Sequence, residues 1–254
     1  MNTCRFCGTT GARPWRRMPD RFVRCAGCDV VFEANPRTEQ QLASIDYHAA
    51  FTSGADWDAE TPAPVLAAYA GFVQRACRPA GRVLDFGTGT GAFVDALRRS
   101  GIDAHGMEPS AVARQTAKAR FDLSLSESLR EFPKGHFCGV TAIEVAEHIP
   151  SPEWLYAVRP LIAAGGFILV TTPNRDSLVA RAKGANWTQA TNPFHVVLFN
   201  ARALAQTLQR AGFVQPVLLR YGPVFARTNV RRTVHRLLLA TGLHSSLRMI
   251  ARVQ

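Results

Sequence analysis

The run Val83-Leu84-Asp85-Phe86-Gly87-Thr88-Gly89-Thr90-Gly91 constrains this chain more than any other segment. Four residues of strand character end in three alternating glycines, and a helical pattern with Phe93, Val94 and Leu97 on one face follows at once. A strand that turns this quickly into a helix belongs to a βαβ unit, in which the helix packs back onto the sheet. The glycines let the backbone turn tightly and approach a ligand with no Cβ in the way. Glu108 ends the next strand candidate, Asp103 to Met107, and lies 17 residues after Gly91. A carboxylate there can accept hydrogen bonds from both hydroxyls of an adenosine ribose. The glycine spacing is not the Gly-x-Gly-x-x-Gly of dinucleotide binding, and no Gly-Lys-Ser/Thr follows, so a P-loop is excluded as well.

Strands and helices alternate through the rest of the chain. Pro62 and Pro64 open a helical pattern that Pro79 and Gly81 end. Ser110 reads as the cap of a helix running to about Arg120, and Val140 to Ile143 as a buried strand. Ser151-Pro152-Glu153 reads as a cap, a first-turn proline and a first-turn acid. They open a helix with Leu161 and Ile162 inward that Gly165-Gly166 breaks before the strand Phe167 to Thr171. Asn200 caps a helix ended by Gly212, and Phe213 to Leu219 and Leu247 to Val253 are the last strand candidates. This alternation predicts a doubly wound α/β sheet with mostly parallel strands.

The front of the chain has different chemistry. Cys4-Arg-Phe-Cys7 and Cys25-Ala-Gly-Cys28 are separated by 17 residues, within the spacing of zinc sites. Two thiolate pairs on neighbouring turns can converge tetrahedrally on one Zn²⁺. Two disulfides are the alternative, and nothing in the sequence suggests export. Residues 1–35 are therefore expected to form a structural zinc ribbon held by Cys4, Cys7, Cys25 and Cys28. Such a unit is too small for a core of its own, so losing the metal should unfold it and leave the larger sheet intact. Residues 36–61 read as a connecting segment and 62–254 as the main domain. Cys77 and Cys138 stand apart in apolar patterns and read as two buried core thiols.

Four blocks carry a resemblance: Val83 to Gly91, Glu108, Ile143-Glu144-Val145-Ala146-Glu147-His148-Ile149-Pro150-Ser151-Pro152, and Leu161 to Asn174. In this order the chain resembles the class I S-adenosylmethionine-dependent methyltransferases, from about Val65 to Gln254. The Glu-x-x-Glu-His block is most similar to the branch that includes ubiquinone-type O-methyltransferases. The resemblance implies a seven-stranded sheet and a cofactor site at Asp85, Gly87, Thr88, Gly89, Gly91, Glu108, Pro109 and Glu144. Adenine contacts are implied within Ser124 to Ser128. Asp85 would repel a pyrophosphate but suits the positive amino-acid end and sulfonium of S-adenosylmethionine. The two cysteine pairs, with Val30-Val31-Phe32 and Asn35-Pro36-Arg37, resemble a bacterial subgroup with a zinc-ribbon front end, whose members modify sugars or secondary metabolites. One departure is Phe137-Cys138-Gly139-Val140, where relatives carry an acid after the phenylalanine.

The candidate catalytic residues are Glu144, Glu147, His148 and His195. The first three follow the fourth strand, at the carboxyl edge of the sheet where α/β proteins bind ligands. Three readings stay open: His148 as a general base, the acids and the cap-forming histidine as loop structure, or all four as holders of a divalent cation. The last is implied by relatives with the same block, and two carboxylates with two imidazoles suit Mg²⁺, Mn²⁺ or Zn²⁺. Asn192-Pro193-Phe194 lies after the fifth strand and so does not match the Asn-Pro-Pro-aromatic signature of base-amine methyltransferases.

Lys and Arg number 30 against 19 Asp and Glu, a net charge of +11. That excess permits nucleic-acid or nucleotide-linked partners and proves neither. Of the basic C-terminal residues Arg220, Arg227, Arg231, Arg232, Arg236, Arg248 and Arg252, only Tyr221 and Phe225 are interleaved, so nucleic acid is the lesser expectation. Val230 to Leu243 reads as an amphipathic cover over the sheet. No apolar run is long enough to span a membrane, and a cytoplasmic enzyme is expected. The expected acceptor is a small molecule, a sugar or natural-product intermediate, free or nucleotide- or carrier-linked, methylated on oxygen or carbon. The alternatives are an RNA methyltransferase using the ribbon, or an inactive zinc-dependent interaction module.

Overall fold

The computed structural model describes residues 3–15, 20–35, 63–77, 81–220 and 229–254. The connecting segment, with Tyr221, Phe225 and Arg227, lies outside the described residues.

The main sheet follows the apolar runs. β4 (Arg82–Phe86), β5 (Asp103–Met107), β6 (Phe137–Ile143) and β7 (Ile162–Pro173) are parallel, and β10 (Ser246–Arg252) runs antiparallel between β7 and β9 (Val214–Leu218). Among the described residues the order β5-β4-β6-β7-β10-β9 holds six strands rather than seven. What would be the seventh is a single parallel bridge from Ser126 to Met107. Leu123 and Leu125 alternate inward as a strand requires. Ser128 then accepts from the Arg130 amide and Glu131 from the Ser128 amide, a capping box that turns the chain away after one bridge.

The helices are α1 (Ala63–Ala76), α2 (Ala92–Arg99), α3 (Ala111–Phe121), α4 (Glu153–Val158), α5 (Leu178–Lys183), α6 (Thr188–Thr191), α7 (Ala201–Arg210) and α8 (Asn229–Thr241). The pleat of β4 sends Val83 to one face, where Leu66, Val73, Phe93 and Leu97 of α1 and α2 cover it. Leu84 and Phe86 go to the other face, against Trp154, Leu155, Leu204 and Leu208 of α4 and α7. Ser110 and Asn200 cap α3 and α7 as their sequences predict. Ser151 does not cap α4. That position is Pro152, with no side-chain cap. Ile162 is not helical either, because α4 ends at Val158 and β7 begins at Ile162. Gly165-Gly166 lies inside β7, where the pairing with β6 shifts register. Gly139 of β6 is required by that packing, since a Cβ there would meet the Phe167 ring.

Cys77 and Cys138 are not separate thiols. They form a disulfide between the residue after α1 and β6, with a Cα–Cα distance of 5.8 Å. Gly81 permits this approach, because a Cβ at position 81 would lie 2.8 Å from that of Cys138.

The ribbon consists of β1 (Arg13–Pro14), β2 (Phe22–Arg24) and β3 (Val31–Glu33), and its sheet is completed by β8 (Val197–Leu198) from the main domain. One face carries Val23 and Phe32 into the same core as Leu84 and Leu204. The other packs Phe22 and Val31 against Trp187, Ala190 and Leu198. The ribbon is built into the domain.

Leu239 of α8 is buried, while Val230, Val234 and Leu237 on the same helix are exposed, so the cover is partial. Among the described residues no helix is long and apolar enough to cross a membrane.

Candidate functional site

The carboxyl ends of β4 to β7 lie along one edge, with Phe86 opposite Met107 and Ile143 opposite Thr171. The glycine turn leaves β4 there. Gly87, Gly89 and Gly91 all have positive φ, of 69°, 55° and 83°. Gly87 and Gly91 face side chains of Val145, Leu123 and Ala117 at 3.0–3.1 Å, so a Cβ would crowd them. Nothing lies within 4 Å of a Cβ built on Gly89. The turn is therefore tight against protein on two sides and open on the third. Sequence reasoning missed Gly106, whose Cβ would meet Leu125, Thr88 and Val94 at 2.7, 2.8 and 3.0 Å.

Glu108 is buried at the end of β5. Its Oε2 accepts from the Gly89 amide and its Oε1 from the Ser110 amide, both at 2.9 Å. Each oxygen keeps a lone pair for a hydroxyl donor. The Thr88 amide donates to Met107 O, and Pro109 is exposed beside Glu108. Ser126 exchanges backbone hydrogen bonds with Gly106 and Glu108, which places the Ser124 to Ser128 segment beside that carboxylate.

Asp85 is 3% exposed and accepts from Thr141 Oγ1 at 2.6 Å. Burial pushes its carboxyl up to about 6 against that hydrogen bond, and the Glu108 charge adds to the rise. A buried carboxylate without a cation partner favours its neutral form, whereas a ligand ammonium would hold it ionised. Affinity for S-adenosylhomocysteine should therefore fall about tenfold per pH unit below 6. Asp85→Asn should be weak and flat over the same range. Titration calorimetry from pH 7 to 5 checks this, and a wild-type affinity independent of pH would refute the Asp85 assignment.

Glu144 has a positive φ of 55°, a strained conformation for a non-glycine residue. Its side chain reaches solvent but is ringed by protein. Thr171 Oγ1 donates to its Oε1 at 2.9 Å and Ser246 Oγ at 3.4 Å. Desolvation within this ring holds its carboxyl above the usual range, opposed by those hydrogen bonds and the Arg248 charge. Arg248 itself is buried, with Nε donating to Tyr69 Oη at 2.9 Å, so it does not belong to a basic surface.

Glu147, His148 and His195 come together, with ligand atoms within 4.8 Å of one another; Glu144 is not in this group. The two imidazoles meet edge to face at 4.8 Å. His148 Nδ1 faces Phe194 O at 3.1 Å and His195 Nδ1 faces Gln189 O at 2.9 Å. A carbonyl only accepts, so each Nδ1 carries the proton and each Nε2 offers a lone pair. Thr172 Oγ1 holds Glu147 Oε2 at 2.8 Å, while Glu147 Oε1 is buried with no N–H or hydroxyl donor, and the neighbouring carboxyl is that of Glu144. Burial, with the Glu144 charge, raises Glu147 well above its usual value. Burial also lowers His148 to about 4 and His195 to about 3. Thr141, which orients Asp85 from within β6, carried no sequence signal, and Thr171 and Thr172, which orient Glu144 and Glu147, lay in the block Leu161 to Asn174 without being singled out.

In the ribbon, Cys4 and Cys28 Sγ are 3.5 Å apart, as are those of Cys7 and Cys25, and all four thiols are free of disulfides. The four sulfurs lie within 4.8 Å of one another.

The sequence profile of a family described as methyltransferase domain matches residues 60–215. The chain belongs to this family. It is 31% identical to a ubiquinone biosynthesis O-methyltransferase of Shewanella sp. (strain ANA-3) over 118 residues, 42% of this chain and 50% of that protein. The protein of the same name from Acinetobacter baumannii (strain AYE) is 27% identical over 166 residues, 58% of this chain and 70% of that one. The chain thus spans only about half the length of the Shewanella relative. Its fold is that of a SAM-dependent methyltransferase from Archaeoglobus fulgidus, with a TM-score of 0.59 and 17% identity, covering 82% of this chain and all of that one.

Proposed function

We propose that this methyltransferase moves the methyl group of S-adenosylmethionine to a hydroxyl of a small molecule, a sugar or natural-product intermediate, free or carried on a nucleotide or carrier. The observation that carries the reading is the convergence at one sheet edge of the cofactor cradle with the Glu147–His148–His195 cluster. Asp85 takes the ammonium of the cofactor's amino-acid end, the Gly89 opening admits its backbone-facing side, and Glu108 accepts from the ribose. Methyl transfer is an in-line displacement at an already activated carbon, so alignment does most of the work.

The hydroxyl must also lose its proton. Two neutral imidazoles with Nε2 lone pairs and a buried carboxylate oxygen without an N–H or hydroxyl donor form a donor set for a divalent cation, and the Nδ1–carbonyl hydrogen bonds are the outer contacts such ligands use. Two imidazoles suit Mn²⁺ or Zn²⁺ better than Mg²⁺. When bound, the cation would supply Lewis acidity that makes the acceptor hydroxyl more acidic. Glu144, which reaches solvent and whose carboxyl desolvation holds above the usual range, is the group assigned to receive the proton. His148, lowered to about 4, is a weak base at neutral pH but a good ligand.

The Cys4–Cys7–Cys25–Cys28 set is read as the holder of one structural Zn²⁺. Its sulfur spacing is near that of a tetrahedron with Zn–S bonds of about 2.3 Å. An RNA acceptor draws less support, since Arg248 is inside the protein. Labelled methyl transfer into fractionated metabolites and into total RNA tests the reading. Label is expected in a small-molecule fraction, and label confined to RNA would overturn it.

A further inference from the structure

Residues 192–196, between α6 and β8, carry His195 with little regular structure of their own. Within this segment the Phe194 amide donates to Asn192 Oδ1 at 2.9 Å and the His195 amide makes a long contact of 3.3 Å to Asn192 O. The preceding turn adds the Asn192 amide to Thr188 O and His195 Nδ1 to Gln189 O, both at 2.9 Å, and further support comes from the ribbon. Arg21, in the ribbon just before β2, sends Nη2 to three carbonyl oxygens: Ala190 at 2.9 Å, Asn192 at 2.5 Å and His195 at 3.3 Å. Its Nη1 pairs at 3.0 Å with Glu33, which is 6% exposed, and the Glu33 amide donates to Val196 O at 3.0 Å. Three carbonyl dipoles pointing at one spot repel one another, and the guanidinium charge offsets that repulsion; Nη2 has two N–H groups, so the 3.3 Å contact to His195 O shares a hydrogen with a shorter one. Its charge also fixes the direction in which the loop faces. On the opposite side, Val196 donates to Glu147 O at 2.8 Å. The loop is thus fastened between the ribbon and the Glu147 turn.

We propose that Arg21 is a positioning residue: it holds the 190–196 loop so that His195 Nε2 meets Glu147 and His148, which makes the ribbon part of the construction of the candidate active site. The importance of that cluster rests on the function proposed above, but the fastening of the loop does not. A purely structural Arg21 would act by packing its stem and by lying over the Phe22 ring, 4.7 Å from the centroid. Arg21→Met keeps the stem and removes the donors.

Two measurements on the full chain decide between these roles. The first is amide hydrogen exchange of residues 189–197, compared with that of the main sheet. The second is Mn²⁺ affinity by electron paramagnetic resonance in wild type, Arg21→Met, His195→Ala and the double variant, with S-adenosylhomocysteine affinity as a fold control. The proposal expects faster exchange confined to 189–197, a 10–100-fold loss of Mn²⁺ affinity, unchanged S-adenosylhomocysteine binding, and no further Mn²⁺ loss when Arg21→Met is added to His195→Ala. Unchanged exchange in Arg21→Met overturns it, as does an Mn²⁺ loss that is just as large in the His195→Ala background. A wild type that binds no Mn²⁺ overturns the cation reading alone, and the exchange comparison then decides the role of Arg21. If Arg21→Met loses cofactor binding, Arg21→Lys, which keeps the charge without the fork, is judged by the same criteria.

Discussion

His195→Ala is expected to lower turnover by about 10²–10⁴-fold while affinity for S-adenosylhomocysteine stays at the wild-type value. Under the assignment proposed above the cofactor lies against β4, β5 and the glycine turn, whereas His195 bonds to Gln189 O and meets the His148 ring. What His195 supplies is a lone pair directed at Glu147 and His148. As a general base it would be poor, because burial first, and then the neighbouring His148, lower it to about 3. The sign matters here. A lowered histidine stays neutral across the whole range above its pKa, so the lone pair persists at neutral and mildly acidic pH. A role as ligand therefore predicts that wild-type turnover vanishes with chelator and returns with Mn²⁺, while a role as base predicts indifference to chelator. Full activity in chelator together with near-normal turnover of His195→Ala would remove both roles and leave alignment as the source of rate.

The sequence announced what depends on local chemistry and concealed what depends on encounters across the chain. The glycine turn was readable because a strand that turns at once into a helix needs positive φ at Gly87, Gly89 and Gly91, and β5 spans the residues its pattern indicates. The caps at Ser110 and Asn200 were readable too, whereas Ser151 offered an equally good signal that the backbone declined. Nothing local distinguishes Ile162 as a strand residue. It joins β7 because Phe137 lies alongside it. Cys77 and Cys138 are 61 residues apart, and only the packing of α1 beside β6, with Gly81 between, brings them together. Arg248 looked like one arginine of a basic tail. Its place on β10 buries it beside Tyr69 and the charge of Glu144. Arg21 had no signal at all, since its three acceptors are backbone carbonyls about 170 residues away.

Cys25→Ser is expected to destabilise the whole chain, and not residues 1–35 alone. Read in isolation, the ribbon is a small unit that would melt by itself once its metal is lost. The structure places Cys25 and Cys28, with Phe6, Val23, Val30 and Phe32, in the same buried cluster as Leu84, Val140 and Leu204, and Phe6 meets Phe199 edge to face at 5.8 Å. Phe22 and Val31 seal the opposite face over Trp187. Unfolding the ribbon would expose these side chains and their partners at about 1.5–3 kcal/mol each, a total comparable to the whole stability of a domain, about 5–15 kcal/mol. It would also release the β3–β8 pairing and the Arg175 guanidinium, which is buried against Asp29 at 2.7 Å. An ion pair broken there leaves an uncompensated buried charge. Structural zinc binding of about 10–16 kcal/mol is large enough to oppose all of this, so its loss should lower the melting temperature of the main sheet itself. Elemental analysis should find one Zn²⁺ per chain fewer in Cys25→Ser than in the wild type, whichever metal the Glu147–His148–His195 set takes. Calorimetry should give one transition in the wild type and a sharply lower one in the variant. A variant whose main sheet melts at the wild-type temperature, after a separate early loss of the ribbon, would mean that the two cores are energetically independent despite their contacts.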